Sequence, residues 1–349
     1  MKILLISFDF NWGGVQEYFV SLTQGLLKQS NIEVIHLVKE KSFSSKRFLE
    51  IFENYKNYKL KTFSFFSLKD FINLFFLLKQ VDIIHINREH ELWLAFLCRI
   101  IKVKAKIIFS QHIKPNKKRF CLNFCDKITV NSNYIRKCFE VLYNKKYINK
   151  ISLLYPSISN LPKLKEAPYK INGFPSMLMS GAYWKNQEKL LYVLKRILKE
   201  KSQAKLYYIG PSQDQKLLSK LKEKIKTLKL ENNVEILDPL PREQALSLIN
   251  IIDFYVYSFT EEPFGISILE ACLLNKTIIA FKGGGINEIL ENYNKSYLIK
   301  AFNYDEFAQT LIKIYNNQEY KKMANLELLK EKFSFEKMLE SHLTLYSFI

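Results

Sequence analysis

Apolar runs of about four to seven residues recur along this 349-residue chain, and each is followed by a stretch whose apolar positions repeat at helical spacing. In the first half the runs are 2–8 (KILLISF), 32–38, 60–65, 82–86, 105–110, 127–131 and 151–155. Unbroken apolar runs of that length suit strands buried on both faces. Amphipathic stretches lie between them: in 15–27, Val15, Phe19, Leu22, Leu26 and Leu27 fall on one face. This alternation predicts an α/β fold with a mostly parallel, doubly wound sheet under helices. A polar stretch with prolines, 156–175, breaks the rhythm and reads as a linker. The runs resume at 176–180, 204–210, 234–237, 253–259, 277–281 and 296–299, and after about residue 304 only helical periods remain. The expected organisation is two Rossmann-like domains, 1–160 and 161–330, with a helix at 331–349 packing back toward the first. Such sheets bind ligands at the carboxyl ends of their strands, so the site is expected in a cleft between the domains.

Composition narrows the class. With 48% hydrophobic and 25% charged residues the chain is globular. The opening MKILLISFDF enters a strand pattern with no cleavage-site signature, and no apolar run approaches the roughly 18–20 residues of a membrane span. A cytoplasmic protein is expected. The five cysteines include one C-x3-C pair, Cys121 and Cys125, with no partner at zinc spacing. They read as reduced thiols, and no metal is expected. The net charge of +19 is uneven: residues 1–160 hold 26 Lys and Arg against 12 Asp and Glu, leaving the remainder at only +5. A basic half favours a polyanion, whether nucleic acid, an anionic membrane face or a phosphorylated acceptor, although lysine also serves plain solubility.

Five features could carry chemistry. Gly13-Gly14 follows the first strand, where a glycine turn lets an anion approach a helix N-terminus; an ordinary turn has the same look. It is not GxGxxG, which disfavours a nicotinamide cofactor. His112 stands just past a strand expected to end at the cleft, whereas His85 lies inside an apolar run and His90 in a charged helix start. Gly181 ends a strand, and Lys185 is expected to open the next helix, where the dipole repels a cation unless an anion is bound. Glu262 and Glu270 flank Phe264, Gly265 and Ile266 in EEPFGISILEA, with a helix start between them. That spacing suits one ligand draped over the helix N-terminus better than two acids flanking a scissile bond. GGGINEIL (283–290) is a further glycine turn feeding a helix.

In this order the features resemble the family 4 retaining glycosyltransferases of the GT-B fold, most strongly from Met177 to Leu290. The resemblance implies a nucleotide-diphosphate sugar held by the second domain and a glycan or lipid-linked acceptor on the first. It implies that Glu262 contacts the donor sugar, that Phe264, Gly265 and Ile266 offer amides, and that Glu270 takes the ribose hydroxyls. Lys185 would neutralise the diphosphate, with Gly13, Gly14 and Gly181 allowing its approach, and His112 would line the reaction centre. Retention without an enzymic nucleophile implies front-face transfer with no metal. Ala182 departs from the family, which often places an arginine there as a second phosphate contact; either Lys185 acts alone or a basic residue elsewhere substitutes.

Two other readings remain open: a GT-B sugar-nucleotide epimerase, and a non-enzymatic polyanion binder. The basic residues are scattered and form no nucleic-acid-binding motif, so no nucleic-acid partner is expected. Residues 56–80 interleave Lys with Phe, as an interfacial membrane segment does and as a strand with a core-facing helix also does.

Overall fold

The computed structural model describes residues 1–9, 13–157, 161–211 and 215–347. The chain divides into two units, Met1–Ser159 with Lys332–Ile349, and Asn160–Glu331.

Unit 1 opens with β1 (Lys2–Ser7), α1 (Gly14–Leu27), β2 (Glu33–Lys39) and α2 (Phe43–Phe52). Next come β3 (Tyr58–Phe63), α3 (Leu68–Lys79), β4 (Ile83–Ile86) and α4 (Trp93–Ile100). β5 (Lys106–Gln111), β6 (Lys127–Val130), α5 (Asn133–Leu142) and β7 (Ile151–Leu153) complete the alternation. The seven strands pair in parallel in the order β3-β2-β1-β4-β5-β6-β7. The inner strand β4 reads Ile-Ile-His-Ile with all four residues buried, as a strand covered on both faces must be. Leu4, Ile6, Ile84, Ile86, Ile107 and Phe109 project from this sheet into one core with Leu74 and Leu78 of α3 and Leu94 and Cys98 of α4.

Unit 2 continues with β8 (Ser176–Ser180), α6 (Glu188–Ile197), β9 (Lys205–Ile209), α7 (Gln215–Thr227) and β10 (Val234–Leu237). Then follow α8 (Arg242–Ile251), β11 (Phe254–Tyr257), α9 (Ile266–Leu273), β12 (Thr277–Phe281), α10 (Ile286–Leu290) and β13 (Ser296–Ile299). Its six strands are also parallel, in the order β10-β9-β8-β11-β12-β13. α11 (Tyr304–Asn316) packs on α6.

The chain closes with α12 (Glu327–Phe333) and α13 (Phe335–Ser347). α13 lies against α1 so closely that a Cβ on Gly25 would stand 2.7 Å from Leu339. Polar bonds fix this seat. His342 donates through Nδ1 to the Met338 carbonyl (2.7 Å), so its Nε2 accepts from the Tyr18 hydroxyl (2.5 Å). Tyr346 meets His85 Nδ1 at 2.8 Å, and the Ser157 hydroxyl donates to the Phe333 carbonyl.

Candidate functional site

In unit 2 the strand order reverses between β8 and β11, the kind of switch point at which doubly wound sheets bind ligands. Gly181 follows β8 at φ +140° and donates its N–H to the Ile209 carbonyl (2.9 Å). The turn beyond it is pinned by the Gln187 side-chain amide, which donates to the carbonyls of Gly181 (3.2 Å) and Ala182 (2.7 Å). From β11's end, the Ser258 hydroxyl donates to the Asn186 carbonyl (2.8 Å).

Lys185 therefore sits in this turn and does not open a helix; α6 begins only at Glu188. Its ammonium lies 2.9 Å from Glu262 Oε2. The expectation of an uncompensated cation at a helix N-terminus is corrected: a carboxylate of the same chain neutralises it.

Glu262 is buried and also accepts a hydrogen bond from the Tyr257 hydroxyl. Burial first, then the charge of Glu262, drives the Tyr257 pKa well above the ordinary phenol value, so the hydroxyl keeps its proton and must donate. Two residues back on the same strand face, Tyr255 donates to Ser267 Oγ (3.0 Å) and shares a bond with Ser180 Oγ (2.6 Å). Burial pushes its pKa up to about 12.

Gly265 caps α9 in the left-handed region, at φ +103°, and as a glycine has no side chain of its own to bond the first amides. The N-terminus of the helix, beginning at Ile266, thus keeps the polarity that attracts anions. Phe264 turns its ring into the core. Glu270 lies one turn into α9, buried, with its Oε1 2.8 Å from Nε of Arg242, the first residue of α8. Each carboxylate of the spaced pair therefore has its own cation. The glycine turn 283–285 backs this loop: a Cβ on Gly284 would stand 2.5 Å from the Glu262 carbonyl oxygen, and one on Gly285 2.1 Å from that of Pro263. Gly285 N–H donates to the Glu262 carbonyl (2.7 Å). The turn fixes the height of Glu262 from behind.

Unit 1 reverses strand order between β1 and β4. Gly13, in extended conformation, precedes α1, and Gly14 is its first residue; both are exposed, and 10–12 lie outside the described residues. Two acids tie the loops after β1 and β4 together. Buried Glu91 accepts from the backbone N–H groups of Phe8 (2.5 Å), Asn87 (3.2 Å) and Arg88 (3.0 Å), while Asp9 pairs with Arg88 Nε (2.7 Å). Burial holds the Glu91 pKa up at about 8 against the pull of those amides.

His112 directly follows β5. The Asn87 side-chain amide donates to the carbonyls of Ile6 and His85 (3.1 Å each), so its oxygen is the acceptor facing His112 Nε2 at 3.2 Å. His112 is thereby the Nε2–H tautomer, with Nδ1 as its acceptor. Burial first, then Arg88, lowers its pKa to about 3, and the ring is neutral at physiological pH. Asn131 donates to the His112 carbonyl (3.1 Å), and its own amide oxygen is buried without a partner among the described residues. His85 is a core residue bonded to Ser110 (2.6 Å) and Tyr346, and His90 is exposed on the turn Glu89–Glu91.

Sequence reasoning missed Arg242, Tyr255 and Tyr257. The tyrosines left a trace, as alternate positions of the strand ahead of Glu262. Arg242 left none, because it meets Glu270 only through the packing of α8 on α9.

Two doubly wound, all-parallel units define the GT-B class of fold. Solved structures bear this out. HepE of Anabaena, crystallised with UDP and glucose, aligns over 100% of both chains with a TM-score of 0.79 at 18% identity. A glycosyltransferase of Rickettsia africae aligns over 99% of this chain and 97% of its own, with a TM-score of 0.77 at 18% identity. At such identity the likeness concerns the fold.

In sequence, residues 172–327, within unit 2, match the family described as Glycosyl transferases group 1. The α-1,3/1,6-mannosyltransferase ALG2 of Dictyostelium discoideum is 26% identical over 224 residues, 61% of this chain and 50% of that one. An uncharacterized glycosyltransferase of Methanocaldococcus jannaschii is 28% identical over 123 residues, 34% and 35% of the two chains. The matches span half or less of the length of these curated relatives.

Proposed function

We propose that the protein is a cytoplasmic glycosyltransferase that moves a sugar from a nucleotide-diphosphate sugar to a hydroxyl of a glycan or lipid-linked acceptor, with retention of configuration. The observation that carries the reading is the α9 N-terminus, whose cap residue Gly265 has no side chain, flanked by the Lys185–Glu262 and Arg242–Glu270 pairs within the group 1 segment.

Each group has a use in that reaction. The diphosphate docks on the amides at Gly265 and Ile266 and draws Lys185 from Glu262, which frees that carboxylate to accept from sugar hydroxyls. Glu270, aimed by Arg242, accepts from the ribose. The acceptor oxygen then bonds to the anomeric carbon on the face that the diphosphate leaves. The carbon–phosphate-oxygen bond breaks with its electrons on that oxygen, which takes the acceptor's proton. Lys185 and the helix dipole meet the charge that develops, so no divalent ion is called for. His112, neutral and offering Nδ1, orients an acceptor hydroxyl without supplying charge. The +14 of residues 1–160 favours a phosphorylated or lipid-borne acceptor.

Thermal shift and calorimetry with UDP, GDP, ADP and their sugars test this, followed by product analysis with EDTA present. Binding of one nucleotide series is expected, with sugar transfer or slow donor hydrolysis that survives EDTA and falls at least about a hundredfold in Glu262→Ala. No binding of any series, or an unaffected Glu262→Ala variant, rejects the reading. An epimerised donor as the only product assigns epimerase activity instead.

A further inference from the structure

Helix α3 leaves one apolar face outside the core, although Phe71 packs its ring edge-on against the buried Phe63 (5.1 Å between centroids). Its sequence, LKDFINLFFLLK, buries only Leu74 and Leu78. Leu68, Ile72 and Phe76 are 78%, 50% and 56% exposed, Phe71 and Phe75 are exposed as well, and Phe66, at the turn leading into the helix, is wholly so. Positions 68, 72, 75 and 76 fall on one helical face. The strand-and-helix reading of residues 56–80 is therefore met by β3 and α3, yet the helix turns Leu68, Ile72 and Phe76 away from the core.

Lys69 and Lys79 lie on the helix itself. Residues 56–80 contain Lys56, Lys59, Lys61, Lys69 and Lys79 against a single acid, Asp70, and of these lysines Lys59 is paired with Glu33 at 2.7 Å. Asp70 is spent internally, accepting from the Ser64 N–H at 3.0 Å. Lys79 stands 4.3 Å over the Phe75 ring, an aromatic–cation pair at the edge of the patch.

We propose that this face docks on an anionic lipid surface, with α3 lying in the interfacial plane and Leu68, Ile72, Phe75 and Phe76 among the acyl-chain ends. The charge decides between occupants. Protein–protein contact surfaces are depleted in lysine, whereas lysine interleaved with Phe and Leu is the composition of interfacial helices. The excess of positive charge on the same half supplies the long-range attraction. Twelve residues make a helix of about 18 Å, too short to span a hydrocarbon core of about 30 Å, so the helix lies on the membrane. The inference goes beyond the transferase reading and does not depend on it.

The test is co-sedimentation with vesicles of phosphatidylcholine alone and of phosphatidylcholine with about one-third phosphatidylglycerol, at low and high salt. Wild type is expected in the anionic pellet only, released by salt as exposed charges are screened. A Phe66→Ser/Ile72→Ser/Phe76→Ser variant, altered only at exposed positions, is expected to partition at least about tenfold less, and Lys69→Glu/Lys79→Glu likewise. Unchanged melting and nucleotide binding show that the variants fold and keep failure of docking separate from failure of the transferase reading. Equal recovery with both vesicle types, or a triple variant that binds as wild type does, overturns the proposal. So does a wild-type dimer that binds no vesicles and that the triple variant dissolves, which would assign the face to a second copy of the chain.

Discussion

At the scale of single residues, the two carboxylates are held by different partners and should fail differently. Glu262 answers both the Lys185 ammonium and the Tyr257 hydroxyl. Truncation to alanine strips a largely buried cation of its counter-charge and leaves a buried hydroxyl without its acceptor, at a cost of about 1–3 kcal/mol. For a unit of this size that is roughly 2–12 °C of melting temperature. Glu262→Gln keeps an acceptor for Tyr257 and should lose less. Arg242 orients Glu270 at 2.8 Å. Arg242→Ala should weaken nucleotide-diphosphate binding by about tenfold, the worth of one charge-assisted contact, and Arg242→Lys should recover part of it because the lysine keeps the charge but not the fork. Calorimetry with the tightest-binding nucleotide checks this; equal affinity across the three proteins would remove Arg242 from the site.

At the scale of elements, the site depends on two turns that meet back to back. The 283–285 turn lies against the backbone of the Glu262 loop, where a side chain on Gly285 would run into the Pro263 carbonyl and not into a movable side-chain tip. Gly285→Ala must therefore displace the loop, and nucleotide binding should be lost along with several degrees of melting temperature; a variant that binds normally would show that the loop has slack. The strands were legible in sequence because a parallel strand covered on both faces must be apolar throughout: Ile-Ile-His-Ile and Phe-Tyr-Val-Tyr leave little else to be. The Glu262/Glu270 spacing was legible because both sit on one local strand–turn–helix unit. Arg242, and the bond from Tyr18 to His342 across 324 positions, were not, because side-chain partners on separate elements leave no periodic trace. The direction in which the α3 phenylalanines point belongs to the same class: period fixes which residues share a face, and packing decides which face is covered.

At the scale of the whole molecule, ionisable groups are distributed so that the two units should respond differently to acid. All five histidines, His36, His85, His90, His112 and His342, belong to unit 1. Burial lowers the pKa of His36 and His112 to about 3 and of His342 to about 4, and it takes His85 well below its ordinary value. A histidine held neutral in the fold binds its proton only on unfolding, so its contribution is intact above pH 6.5 and is lost as pH falls toward the folded value. At pH 5 each ring of His36, His112 and His342 costs about 2 kcal/mol relative to pH 7, and His85 acts in the same direction. Glu91 works the other way: its pKa, raised to about 8, gives a contribution present in acid and lost as pH rises from the ordinary carboxylate value toward 8. One carboxyl offsets part of the loss from four rings and not all of it. Calorimetry is therefore expected to show unit 1 melting well ahead of unit 2 at pH 5, with the gap narrowing by pH 7. The seat of α13 should feel this first, since protonating His342 removes the acceptor for Tyr18 and places a charge beside His85. Hydrogen exchange at pH 5 and 7, normalised for intrinsic rates, should show amides of α13 losing protection before those of β11 and β12. Uniform loss across both units would mean that the buried histidines do not set the acid limit.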